Sequence, residues 1–194
     1  MKKLICGLCI SLFSGMANAV MLNFNESTGE LYGADQVLIS GNYFDVDFVD
    51  GSCIDIFNGC DSDTDFFFTD RLEARQASQA LLDQVLISKW DTMPSLTHGC
   101  DEGFVLCSIL TPYSVGASTT YLSVDIAHNE ELYDGRSMGA MPRDSDFSDR
   151  SHYVWAVWSE SSSVPLPTTL PLIALGLLML GWHRRHRVAQ KLAS

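Results

Sequence analysis

Three aspartates at alternate positions, Asp61, Asp63 and Asp65, are the residues whose type and spacing most suggest chemistry. Alternate carboxylates in a loop can converge on a hard cation, and calcium takes roughly six to eight oxygen ligands. An EF-hand loop beginning at Asp61 would need Gly at its sixth position and Glu at its twelfth, where Phe66 and Leu72 stand. The expectation is therefore an irregular calcium site at Asp61, Asp63 and Asp65, with Asp55 or Asp101 as further ligands. The plainer reading, and the preferred one, is an acidic turn leading into a buried strand at residues 66–68. A second pair, Asp45 and Asp47, shares one face of an alternating run. A spacing of two along a strand puts such carboxylates roughly 6–7 Å apart. On the wet face of an edge hairpin they more readily serve to block aggregation than to catalyse.

Other constellations for catalysis are missing from the sequence. Gly116-Ala117-Ser118 has no second glycine to make a nucleophile elbow. His98, His128 and His152 lack metal-ligand spacing, and no glycine-rich phosphate loop occurs. Trp155 and Trp158 fall on opposite faces of a regular strand, one for a core and the other a candidate carbohydrate platform. The chain reads as non-enzymatic.

The cysteines are more informative. Cys53, Cys60, Cys100 and Cys107 form two C-x6-C pairs, and an even count in an exported chain reads as two disulfides. Three connectivities are open, of which the local one is the simplest. Each eight-residue loop closed that way stabilises by about 2.5 kcal/mol on the chain-entropy estimate. A zinc site would want closer spacing and a reducing compartment.

Export itself is read from the first 19 residues. Lys2 and Lys3 precede an apolar run over 4–16 and the small-residue close Ala17-Asn18-Ala19. That order is a cleavable secretory signal, and the run is too short to span a bilayer. Cys6 and Cys9 leave with it. The domain at 20–163 then carries all 24 acidic residues against six basic ones (Arg71, Arg75, Lys89, Arg136, Arg143, Arg150), a balance of −18. Such a field repels nucleic acid and anionic lipid, and it favours solubility.

Periodicity along the chain gives the strands and the helix that carry these residues. Residues 37–39 and 43–49 flank Gly41-Asn42 as a hairpin with a II′ turn, burying Phe44, Val46 and Phe48. The first ordered element is placed near Gln36. Asp70, with Glu73 three residues on, caps a helix between Asp70 and Leu86, with Leu72, Ala77, Leu81, Val85 and the neighbouring Leu82 and Leu86 as its apolar stripe. Residues 105–110, 120–126 and 152–158 are further strands, and 133–151 reads as an exposed loop. The expected fold is α+β: a small antiparallel sheet, one main packed helix and two disulfide-closed loops. A signal helix precedes it and a C-terminal transmembrane helix follows.

The tail is the most specific stretch. After Ser159-Glu160-Ser161-Ser162-Ser163 come Val164-Pro165-Leu166-Pro167, an apolar run over 170–182, and a basic cluster with Arg184, Arg185 and Arg187. Thirteen helical residues span about 20 Å, below the ~30 Å hydrocarbon core. The cluster would stop transfer and remain cytoplasmic, with 189–194 behind it. An LPxTG reading fails because Leu170 stands where Gly is needed.

Residues 164–187 resemble the PEP-CTERM sorting signal processed by exosortases in Gram-negative bacteria. The match rests on Val164, Pro165 and Pro167, on Gly176 and Gly181 within the apolar run, and on the three arginines; Leu166 replaces the usual Glu. Residues 43–60 and 77–85 also look like the middle of other uncharacterised proteins with such tails. The resemblance implies an exosortase-like partner, transient residence in the inner membrane, and delivery to the cell surface or an exopolysaccharide matrix. The alternatives are a periplasm-facing single-pass anchored protein and a calcium-dependent adhesive module.

Overall fold

The computed structural model describes residues 19–101, 103–116, 120–148 and 152–162. Most of the expected signal segment, the sorting motif at 164–167, the apolar run at 170–182 and the basic cluster lie outside them. Among the described residues no helix is long and apolar enough to cross a membrane.

Seven strands make one mixed sheet: β1 (Met21–Phe24), β2 (Leu31–Ile39), β3 (Asn42–Val49), β4 (Leu106–Val115), β5 (Tyr121–Glu130), β6 (Gly135–Pro142) and β7 (Tyr153–Glu160). Their spatial order is β1-β2-β3-β7-β4-β5-β6. Two antiparallel meanders, β1-β2-β3 and β4-β5-β6, are joined through β7, which runs antiparallel to β3 and parallel to β4. The sheet is thus larger than expected and not purely antiparallel. The long connection between β3 and β4 carries the helices α1 (Cys53–Ile56), α2 (Arg71–Ala80) and α3 (Lys89–Thr92).

The sheet is covered on both faces, and the alternation of side chains along each strand sorts them between two cores. On one face Val46, Phe48, Ile109, Val154, Ala156 and Trp158 pack with Ala74, Ala77, Leu81 and Val85 of the helical segment. On the other, Leu110, Leu122, Val124, Ile126 and Trp155 pack with Cys53, Phe57, Cys60, Phe66 and Phe147. One disulfide serves each face: Cys53–Cys60 closes the loop over the second core, and Cys100–Cys107 ties the approach to β4 into the first.

Several expectations are corrected. The β2–β3 turn is Ser40-Gly41, one residue earlier than expected, with Ile39 opposite Asn42. Both turn residues have positive φ (51° and 90°), the requirement of a I′ turn, whose twist matches the flanking strands. Asp70 caps α2 as expected, accepting from Leu72 N at 2.7 Å and Glu73 N at 3.3 Å. The α-helix ends at Ala80, however, and a single π turn follows at Leu81–Val85, closed by Leu86 N donating to Leu81 O at 2.8 Å. That turn presents Gln84 to β2, where its amide takes both backbone groups of Leu38, at 3.0 and 2.9 Å. Of the expected stripe, Ala77, Leu81 and Val85 are buried, but Leu72 is 59% exposed, and Ala74, Ser78 and Ala80 complete the buried face. Residues 66–68 form no strand; Phe66 and Phe68 are anchored in opposite cores. The supposed loop at 133–151 contains β6, and β1 precedes the expected start of order.

Candidate functional site

The three aspartates do not converge. Asp65 accepts from the backbone N–H of Asp61 and of Ser62, at 3.0 and 3.1 Å, completing a capping box with Ser62 around the 3-10 turn Asp63–Asp65. Asp63 accepts from Val115 N at 2.6 Å and so ties that turn to the end of β4. Asp61 faces Arg143, 3.8 Å away. Each carboxylate thus has a separate partner, and among the described residues no three His, Cys, Asp or Glu side chains are grouped to hold a metal ion.

Asp45 and Asp47 lie on an interior strand, not an edge, because β7 pairs with β3. Asp45 accepts from Gln36 N at 2.9 Å, where β2 bulges and Gln36 takes φ 61°. Asp47 is pushed above the usual carboxylate range, chiefly by burial and then by the charges of Asp35 and Asp45. Asp45 thus supports the irregular pairing of β2 with β3.

Both tryptophans are core residues. Trp155 is fully buried and Trp158 is 5% exposed, on opposite faces as expected. The carbohydrate platform is therefore withdrawn: with helix on one side and disulfide loop on the other, this central strand has no open face. Trp155 Nε1 donates to Gly51 O at 3.1 Å and Trp158 Nε1 to Thr111 Oγ1 at 3.3 Å.

The histidines stay dispersed. His98 Nδ1 lies 2.8 Å from Glu30, which also accepts from the Tyr32 hydroxyl at 2.9 Å. These hydrogen bonds hold the Glu30 carboxyl below its ordinary range, the one to His98 contributing most. His128 bridges Ser108 and Ser137, at 3.1 and 2.7 Å. His152 stacks on Phe104.

The arrangement that the sequence did not announce is a cleft of about 200 Å³ lined by Arg71, Arg75, Asp125, Arg136, Ser137 and Met138. Helix α2 supplies Arg71 and Arg75 one turn apart, β5 supplies Asp125, and β6 supplies the rest. Asp125 is 1% exposed, on the helix side of the sheet. Arg136 Nη1 stands 3.6 Å from its Oδ1 and donates to Arg75 O at 3.4 Å. Both Asp125 oxygens and Arg136 Nε are buried without a hydrogen-bond partner among the described residues.

Burial raises the Asp125 carboxyl above its ordinary range, while Ser78, Arg136 and Arg75 draw it back only in part. A carboxyl raised in the folded state favours folding most when it is protonated in both states. That contribution is lost as pH climbs from the unfolded value through the raised folded one. The stability of the protein relative to Asp125→Asn is therefore expected to fall across the weakly acid range as pH rises. Urea unfolding at several pH values checks this, and a difference that grows with pH would contradict it.

No motif pointed to this cleft because its members come from positions 71, 75, 125 and 136, on three separate elements. The one available signal was scarcity: six basic residues in so acidic a domain, two of them at helical spacing. Comparison with protein-family models, curated proteins and solved structures finds no match to this chain.

Proposed function

We propose that this chain is the precursor of a non-enzymatic cell-surface or exopolysaccharide-matrix-associated protein, exported and then processed by an exosortase-like membrane enzyme. The observation that carries the reading is the tail, where Val164-Pro165-Leu166-Pro167 precedes a short apolar run and Arg184, Arg185 and Arg187. A run of that length is a poor permanent span but suits a transient intermediate held by its basic stop. The two disulfides are compatible with an exported protein in an oxidising compartment. An acidic surface keeps such a domain soluble and away from anionic headgroups.

Replacing both Pro165 and Pro167 by alanine is expected to leave a full-length tail on a membrane-bound precursor and to abolish surface delivery. Intact mass measurement of the cell-associated protein reads signal loss, tail loss and the two disulfides together. Unchanged processing and delivery in the double variant would remove the proposal. A wild-type protein that keeps its tail and stays in the inner membrane would establish the single-pass anchor instead.

A further inference from the structure

We propose that the arginine cleft between α2 and the β5–β6 edge binds a carboxylate-bearing, hydroxyl-rich group the size of one sugar ring, as in a sugar acid. Three of the five basic residues described line this one cleft, although the domain around it is strongly acidic. The other two are engaged elsewhere: Lys89 lies over the rings of Phe24 and Trp90, and Arg143 is held by Gly59 O and Asp61. Arg71 and Arg75 have no carboxylate within ion-pair distance among the described residues. Like charges one helical turn apart are mildly unfavourable when nothing balances them.

The floor of the cleft adds a second observation. Buried polar atoms are nearly always hydrogen-bonded, and an exception calls for an explanation. Here Arg136 Nε is a buried donor without a hydrogen-bond partner, and the buried Asp125 carboxylate beside it has only the Arg136 Nη1 contact at 3.6 Å and the influence of the Ser78 hydroxyl. Three guanidinium groups against one carboxylate leave a surplus of positive charge, which a single anionic group would balance. Guanidinium forks suit a carboxylate in bidentate geometry. The presence of Asp125 then selects among anions. Sulfate offers only acceptors and would be repelled by this carboxylate, whereas a hydroxyl beside the ligand's own carboxylate can donate to it. Met138, half exposed, supplies an apolar wall for the ring's carbon face. The volume suits one ring, being below the usual range for larger ligands. Repulsion from the rest of the domain falls off within about 8 Å at physiological salt, so the cleft can act locally. Ser137 contributes no hydroxyl, since its Oγ is engaged with His128.

The site is independent of tail processing and can be tested on the disulfide-intact protein purified from cells. Calorimetric titration with digalacturonate is expected to show saturable binding that weakens with added salt, and the methyl ester should not bind. Arg71→Glu together with Arg75→Glu should reduce affinity at least tenfold while the far-ultraviolet circular dichroism stays that of the folded protein, since both side chains are exposed on the helix. Lys89→Gln should leave binding intact. Absence of digalacturonate binding, equal binding of the ester, equal competition by sodium sulfate, or indifference to the double charge reversal would each overturn the assignment.

Discussion

Replacing Trp155 by alanine is expected to cost about 3–5 kcal/mol of unfolding free energy, the usual range for removing a large buried aromatic. Trp155 is fully buried at the centre of the loop-side core, on the strand that joins the two meanders. Its ring meets Phe147 at 4.9 Å and Phe57 at 5.6 Å between centroids. Phe57 in turn packs on Phe66. Removing the indole would open a cavity beneath the loop closed by Cys53–Cys60 and take away a donor to Gly51 O. Because Phe147 N also donates to Gly51 O, at 3.1 Å, the loss should be dominated by packing. Trp155→Phe should therefore recover more than half of the stability. Chemical denaturation with tryptophan fluorescence from the remaining residues measures both; a cost below 1 kcal/mol for alanine would show that this face is not a packed core.

Converting Cys53 and Cys60 together to serine is expected to lower stability by about 2.5 kcal/mol, from the entropy the open loop regains in the unfolded chain. At roughly 2–4 °C per kcal/mol for a chain of this size, the melting temperature should drop by about 5–10 °C. The sheet itself should persist, since neither cysteine lies on a strand. The local effect is sharper. The bridge holds α1 and a turn in which Asn58, Gly59 and Cys60 all take positive φ, and this turn carries Phe57 into the core. Exchange protection of amides at 53–60 should accordingly fall more than that of β4 or β7. A melting temperature insensitive to the double substitution would mean that loop closure contributes nothing to folding. Such a result would also weaken the case that the protein depends on an oxidising compartment.

Much of the domain could be read from local pattern. The alternation at 43–49 placed Val46 and Phe48 in the core, and Asp70 announced the start of α2. Of the three open cysteine pairings the local one is the simplest, and the structure forms both of its bridges. Strands β4, β5 and β7 were expected from their β-branched and aromatic content, although each extends beyond the predicted end. These features depend on residues near one another in sequence, where side-chain period and capping chemistry act directly.

What failed was governed by partners distant in the chain. Strand β6, Gly135–Pro142, has glycine, proline and no fully buried side chain, and it exists because β5 offers it a backbone ladder. Asp45 and Asp47 were set on an edge because nothing in the sequence tells that β7 returns to pair with β3. The exposure of one tryptophan was inferred from a strand with one wet face, yet cover on both faces buries the two of them. The close approach of β2 to β3 was equally hidden: a Cβ at Gly33 would stand 2.1 Å from Val46 O. Local chemistry along the chain accounts for the Asp70 cap, the alternation of β3, the two disulfide loops and the acidic character, and at its ends it raises the expectation of export and sorting. The seven-strand order, the two cores and the meeting of Arg71, Arg75, Asp125 and Arg136 arise from non-local pairing that no residue spacing records.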